Sequence, residues 1–408
     1  MKKTISLLIL LAALAAGAAP VATISSSAFA DGKLTVTYSL MDGPAVVTFD
    51  VETNATGDVW ASIGGAAVTG GIVSGNDALW RKVTETGPFT VCWRPDAWKG
   101  ASGKIRAVVR AWPLDNPPDY LVADLSAQAA AKTPRYYPGA DFVPGGVLGN
   151  VRYRQTALLM RKVMAKDVTW TTGNTDSKTT VKLDDNYYMG VFEVTKAQWA
   201  LMMDGKYPAE SENKAYKAFA NPVYREMRPM ELASYNEIRT SGVRATYNSA
   251  NDAPNKPHDN SFLGKVRNRT GIDFDLPSMN QWEYACRAGH GEGYWGDGTV
   301  DDNKNDPPGR YNGNGGTTTD FDCDPNHGTA ICGSYPPNSW GIYDMHGNLY
   351  EFCTDTATAS ASNPSKYKLG GSWSHGMGNA RPAHRNSEGA STQWHANGFR
   401  VMCPVAVP

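Results

Sequence analysis

Charge of one sign is missing from this sequence. Lysine and arginine number 39, aspartate and glutamate 40, and the net charge is −1 over 408 residues. A nucleic-acid binder normally shows a basic stripe, so the balance argues against that class. Long apolar runs are missing too, with one exception near the N-terminus. No later run reaches the ~20 residues that a membrane span requires, so the chain is not expected to span a membrane. Neither an internal repeat nor a low-complexity tract is present. The exception runs from Ile5 to Ala19, follows Lys2 and Lys3, and precedes Ala28-Phe29-Ala30 ahead of Asp31. Those are the parts of an export signal with a small-x-small cleavage site. Residues 1–30 are therefore expected to be removed, and the remainder to be exported to the periplasm, the cell surface or the medium.

What is present instead is 41 glycines, 25 prolines and 12 tryptophans in a chain only 19% charged. That mixture suits a loop-rich globular protein held together by aromatic packing. The six cysteines are an even number, and export permits disulfides. Spacing alone does not pair them. Cys323 and Cys332 could close a loop, while Cys92 and Cys353 have no assignable partner.

Residues 31–135 read as β structure. Val47, Phe49 and Val51 alternate with polar neighbours, as do Phe89, Val91 and Trp93, and Ile105, Ala107 and Val109. Turn signals at 41–44 and 86–88 separate them, and the pattern suggests a fibronectin- or immunoglobulin-like sandwich. Residues 136–150 read as a linker, and 151–408 as a second domain. Two helix starts there carry a capping box, Thr195 with Gln198 and Ser278 with Gln281. Val194 is placed to staple onto Trp199. A shorter helix is expected over 261–269. The rest is irregular and rich in Gly, Asn and Pro, so loop ordering has to be offset by metals, disulfides or buried aromatics.

The most informative stretch is YPPNSWGIYDMHGNLYEFC at 335–353, answered by GGSW at 370–373 and NGFR at 397–400. A tight polar turn at 344–348 lies between the carboxylates of Asp344 and Glu351. Carboxylates beside carbonyls of a kinked backbone are what a hard cation such as calcium prefers. With YYMGVFEVTKAQW at 187–199 and DLPSMNQWEYACRAG at 275–289, these motifs resemble the formylglycine-generating enzyme (sulfatase-modifying factor) family over roughly 151–403. The resemblance implies an α+β fold: a loop-rich, C-type-lectin-like domain following the N-terminal β-sandwich.

It also implies two structural calcium sites. One would use Asp344 and Glu351 side chains with the carbonyls of Gly347 and Leu349. The other would use Asn312 and Asp324 side chains with the carbonyls of Gly313 and Asn326. A disulfide between Cys286 and Cys403 is implied as well. Family members oxidise a substrate cysteine with copper, held by a cysteine pair after the GGS motif, because soft Cu(I) favours thiolates. Here that segment has no cysteine. His375 holds the first position, and the second is Ala380, or Met377 if a gap is allowed. Copper is therefore not expected.

Ser372 and His375 remain as candidate catalytic residues, without an identifiable orienting acid. Trp373, Arg381, Arg385 and Trp394, together with His375, have the composition of a binding groove for a peptide or glycan. Three readings follow: a non-catalytic exported binding module, which the missing thiolates favour, a formylglycine-generating oxidase, or a divergent metal enzyme built on His375.

Overall fold

The structure, a computed structural model, describes residues 18–54, 59–95, 104–126, 133–173, 178–208, 225–240, 256–290, 309–315, 328–360 and 363–406. The chain enters through a hairpin of β1 (Val21–Ala30) and β2 (Lys33–Met41), paired from Val21–Met41 to Ala30–Lys33. Its turn is Asp31-Gly32, both left-handed at φ 52° and 70°. A two-residue hairpin needs that geometry, and Asp-Gly supplies it readily. β3 (Ala45–Thr53), β4 (Ala61–Ser62), α1 (Gly65–Gly71), β5 (Ile72–Ser74), β6 (Arg81–Val83), β7 (Phe89–Trp93) and β8 (Ile105–Trp112) follow. One sheet runs β1-β2-β7-β5, and in the other β3 pairs with β4, β6 and β8. Leu34, Val36 and Tyr38 of the first meet Val47, Phe49 and Val51 of the second in one buried cluster with Val91 and Trp93. This is the expected sandwich.

The segment up to Ala30, expected to be a removed leader, closes β1 instead of ending in an open tail. β1 is nevertheless exposed along most of its length, and only Ala22 and Ile24 pack against the core. Losing that packing costs about 1–2 kcal/mol. A chain starting at Asp31 should therefore melt less than about 5 °C below one starting at Ala19. Differential scanning calorimetry of the two would show it, and a larger drop would mean that β1 is integral to the sandwich.

Next come β9 (Tyr120–Asp124), β10 (Arg135–Tyr137), β11 (Ala157–Val163), β12 (Thr169–Thr172), β13 (Thr179–Lys182) and β14 (Tyr187–Gly190). They lead to α2 (Lys196–Met202), α3 (Phe262–Thr270) and α4 (Met279–Arg287). β15 (Tyr350–Thr358), β16 (Ser365–Leu369), β17 (Asn386–Gly389), β18 (Asn397–Gly398) and β19 (Met402–Pro404) complete the chain. The central sheet is β10-β9-β11-β14-β19. This corrects the boundary expected at 135/136, because β9 pairs with β11 and belongs to the second domain's sheet. The expected linker at 136–150 is no free tether either. Tyr136 and Tyr137 lie on β10, and Phe142 and Val143 are buried.

Both faces of the central sheet are covered. Leu121, Ala123, Leu158 and Met160 face one cluster, with Trp199 and Phe262, whereas Tyr120, Val122, Ala157 and Leu159 face the sandwich core. Strands buried on both sides lose the alternation that marks a one-sided strand, so the sequence carries no local mark of this boundary. Both capping boxes form as read, with Gln198 N donating to Thr195 Oγ1 at 3.2 Å and Gln281 N to Ser278 Oγ at 3.2 Å. Trp199 stacks on Phe262 with ring centroids 5.2 Å apart.

The Cys286–Cys403 bridge does not form. Cys286 on α4 faces Met345 and His346, Cys403 sits on β19 beside Tyr188, and both are buried free thiols in different clusters. The other expected loop closure involves Cys323, which lies outside the described residues.

Candidate functional site

Two adjoining groups of residues converge where the 344–351 turn meets β15, β16 and the chain after Gly370. The first is a buried knot of charge. Arg400, completely buried, holds Glu351 with both arms: Nε and Nη2 each donate at 2.6 Å to separate carboxylate oxygens. Trp282 on α4 donates its Nε1–H to Glu351 at 2.5 Å, and Arg400 also binds the carbonyls of Gly190 and Tyr343. Glu351 is thus committed to Arg400 and Trp282, so the structure does not present it as the calcium ligand that the motif implied.

Asp344 and Asn348 both adopt left-handed backbone, at φ 57° and 63°, with Gly347 at 87° between them. Gly347 is required there, because a Cβ would fall 2.0 Å from the Arg310 carbonyl oxygen. The twisted turn aims Asp344 inward, where Oδ2 accepts from Gly333 N at 2.6 Å and Oδ1, fully buried, has no hydrogen-bond partner. Beside it lies Glu193, which accepts from Asn348 Nδ2 at 2.6 Å and Leu349 N at 3.1 Å. Cys332 Sγ is 3.8 Å from Glu193 Oε2. Burial, then the neighbouring Asp344 and Glu351, push the Glu193 carboxyl well above its ordinary range, and burial pushes Asp344 up to about 6.

Sequence reasoning missed Glu193 and Cys332 as parts of this cluster. Glu193 stands two residues ahead of the Thr195 cap, and its acidic character in the apolar run YYMGVFEV was the available signal. Of the implied calcium sets, then, Asp344 fits, Glu351 does not, and Gly347 and Leu349 contribute the turn. In the second set Asn312 and Gly313 are exposed on a short helical turn, with Asn312 N donating to the His375 carbonyl at 3.0 Å. Asp324 and Asn326 lie outside the described residues.

The second group surrounds His375. Ser372, buried, places its Oγ 2.7 Å from His375 Nδ1, and Ser374 Oγ is 3.3 Å from the same nitrogen. The imidazole stands edge-on to Tyr350 and Trp394, with centroids 5.1 Å and 5.3 Å away. Lys368 supports both aromatics from below, its Nζ 4.3 Å from the Trp394 ring centre and 4.9 Å from that of Tyr350. It is held there by Glu388 at 3.1 Å and Asn397 Oδ1 at 2.8 Å. Burial, then Lys368, His395 and His384, lower the His375 pKa, which keeps the imidazole neutral at pH 7.

Of the late histidines, His384 and His395 flank this aromatic group, while His346 bonds the Ala380 carbonyl at 2.8 Å. Among the described residues, histidine nitrogens do not gather closely enough to share a metal ion, whereas Glu193, Cys332 and Asp344 bring one potential ligand atom each within 4.8 Å of the others. The expected groove is only partly assembled. Trp373 is core, donating its indole N–H to the His395 carbonyl at 3.2 Å. Arg385 turns to Thr172 at 3.1 Å and Glu283 at 3.7 Å. Arg381 remains beside His384, and Trp394 stays partly exposed. Among the described residues, Ser372 and His375 form a hydrogen-bonded pair with no carboxylate bonded to it, and the Lys368 ammonium lies nearby. Such a pair orients an imidazole but has no acid to strengthen it as a base.

Comparison with known proteins agrees with the motifs. The chain is 33% identical over 93 residues to a formylglycine-generating enzyme of Bos taurus, covering 21% of this chain and 23% of that one. A second formylglycine-generating enzyme, from Thermomonospora curvata, is 33% identical over 114 residues, or 26% of this chain and 36% of that one. The chain thus spans well under half the length of these relatives. Among solved structures, Treponema denticola variable protein 1 superposes with a TM-score of 0.46 at 19% identity, covering 61% of this chain and 96% of that one. The family description that matches, over residues 128–404, is "Sulfatase-modifying factor enzyme 1-like domain". From residue 128 to residue 404, this chain belongs to the sulfatase-modifying factor enzyme 1-like domain family.

Proposed function

We propose that the chain is an exported binding protein, in which a β-sandwich is joined to a sulfatase-modifying-factor-like domain that recognises a peptide or glycan and does not oxidise cysteine. One observation carries the reading. The position where copper chemistry needs a thiolate is His375, a neutral imidazole bonded to Ser372 and packed between Tyr350 and Trp394. The domain's described cysteines, 286, 332, 353 and 403, are all fully buried, with burial pushing every thiol pKa up. Among the described residues, then, no exposed cysteine pair stands after the GGS motif, which supports a reading without copper oxidation at this site.

The same residues suit recognition. Trp394 offers a partly exposed indole packed against the Lys368 ammonium and the His375 ring. An aromatic held rigid in this way loses little freedom on binding, which favours it as an anchor. Two measurements on one preparation test the reading. A Cys-x-Pro-x-Arg peptide incubated with protein, copper, oxygen and a thiol should keep its mass, and a glycan and peptide array should give hits that Trp394→Ala weakens by roughly tenfold or more. Conversion of the peptide cysteine to an aldehyde would sink the proposal.

A further inference from the structure

At the turn where the 344–351 motif implies a cation site, the structure groups different donors. Glu351 is withdrawn from it by Arg400, and two other groups take its place beside Asp344. Glu193, Cys332 and Asp344 each turn a potential ligand atom into one buried spot, all within 4.8 Å of one another. Asp344 Oδ1, in a residue only 2% exposed, has no hydrogen-bond partner. An unpartnered carboxylate oxygen in a dry site next to a second carboxylate is unfavourable unless a proton or a cation sits between them.

The surrounding charge points to a cation of charge two. Glu193, Asp344 and Glu351 bring three carboxylates, and a Cys332 thiolate would be a fourth negative group. Against them stand two guanidiniums, Arg400 on Glu351 and Arg154, whose Nη1 donates to the Cys332 carbonyl at 3.2 Å. Four negative groups and two positive ones leave a deficit of two. The donor set also discriminates among dications. Calcium takes six to eight oxygens and has no use for sulfur. A thiolate with two carboxylates suits zinc, with a fourth position left for water.

We propose that Glu193, Cys332 and Asp344 form a site for a divalent cation of borderline softness, zinc above all, in place of calcium. Binding converts the Cys332 thiol to a metal-bound thiolate and releases its proton, so no oxidant or reductant is needed. Glu193 also binds Asn348 Nδ2 and Leu349 N, one residue before the Tyr350 that packs on His375, so a bound cation would fix the turn that leads into that group.

Cobalt tests the proposal, because thiolate ligation of Co²⁺ gives a charge-transfer band in the near ultraviolet. The full chain, stripped with a chelator, should take up one Co²⁺ with that band, and Zn²⁺ but not Ca²⁺ should displace it. Cys332→Ser should abolish the band and weaken zinc binding by more than about tenfold, and Asp344→Asn should weaken it similarly. A cobalt complex without the band, displacement by calcium, or no uptake by the folded chain would overturn the proposal. Should Cys332→Ser fail to fold, the wild-type band and the Asp344→Asn titration decide.

Discussion

Arg400→Ala is expected to cost about 3–5 kcal/mol of folding stability, enough to unfold much of the protein. The reason is what the substitution leaves behind. Glu351 is completely buried, and each of its oxygens receives an Arg400 donor at 2.6 Å. With the guanidinium gone, the carboxylate keeps the Trp282 indole as its one remaining donor among the described residues. The carbonyls of Gly190 and Tyr343 lose their donors as well. A double change, Arg400→Met with Glu351→Leu, removes the pair without orphaning either member and should be much milder, because desolvation offsets much of a buried pair's Coulomb energy. Urea unfolding of the three proteins separates these cases. A loss below about 1 kcal/mol for Arg400→Ala would mean that water reaches Glu351.

The same pair shows what could be read in the sequence and what could not. Local signals were legible because their partners lie a few residues away. The capping boxes at Thr195 and Ser278 formed as read, and the Asp31-Gly32 hairpin, though overlooked, stood in plain view ahead of an alternating strand. The turn at 344–348 was legible for the same reason. Its chemistry was not, because that depends on groups far away in the chain. Glu351 and Arg400 are 49 residues apart, and Asn348 and Glu193 are 155 apart. The motif named Asp344 and Glu351 but could not say that Arg400 would neutralise Glu351, or that Glu193 would lie beside Asp344. Likewise Tyr120–Asp124 is one more short strand after eight others, and nothing local says that it pairs with β11 and not within the sandwich. The groove residues divided in the same way. Trp394 kept its place beside His375, whereas Arg385 was drawn off by Glu283, a carboxylate on α4.

Metal-free protein is expected to grow less stable as pH rises from about 4 to 7, with the slope coming from Asp344 and Glu193. Burial raises the Asp344 carboxyl from its ordinary 3.8 to about 6, and Glu193 is raised well above its own ordinary value. A carboxyl whose folded pKa is raised binds its proton more tightly folded than unfolded, so the folded state is favoured where that proton is present. This contribution is complete below the unfolded pKa and disappears as pH rises through the folded one. For Asp344 the change is about 3 kcal/mol. Other groups titrate over the same range, so the comparison is with Asp344→Asn, which carries no titrating proton there. The variant's stability should vary less with pH, and the two curves should converge below about pH 4. Parallel curves would mean that Asp344 is ionised in the folded protein even without metal. A bound dication should reverse the wild-type trend, since it binds the deprotonated carboxylates and competes with protons for them. Stability measured with and without metal at pH 5 and pH 8 therefore distinguishes a turn held together by protons from one held by a cation.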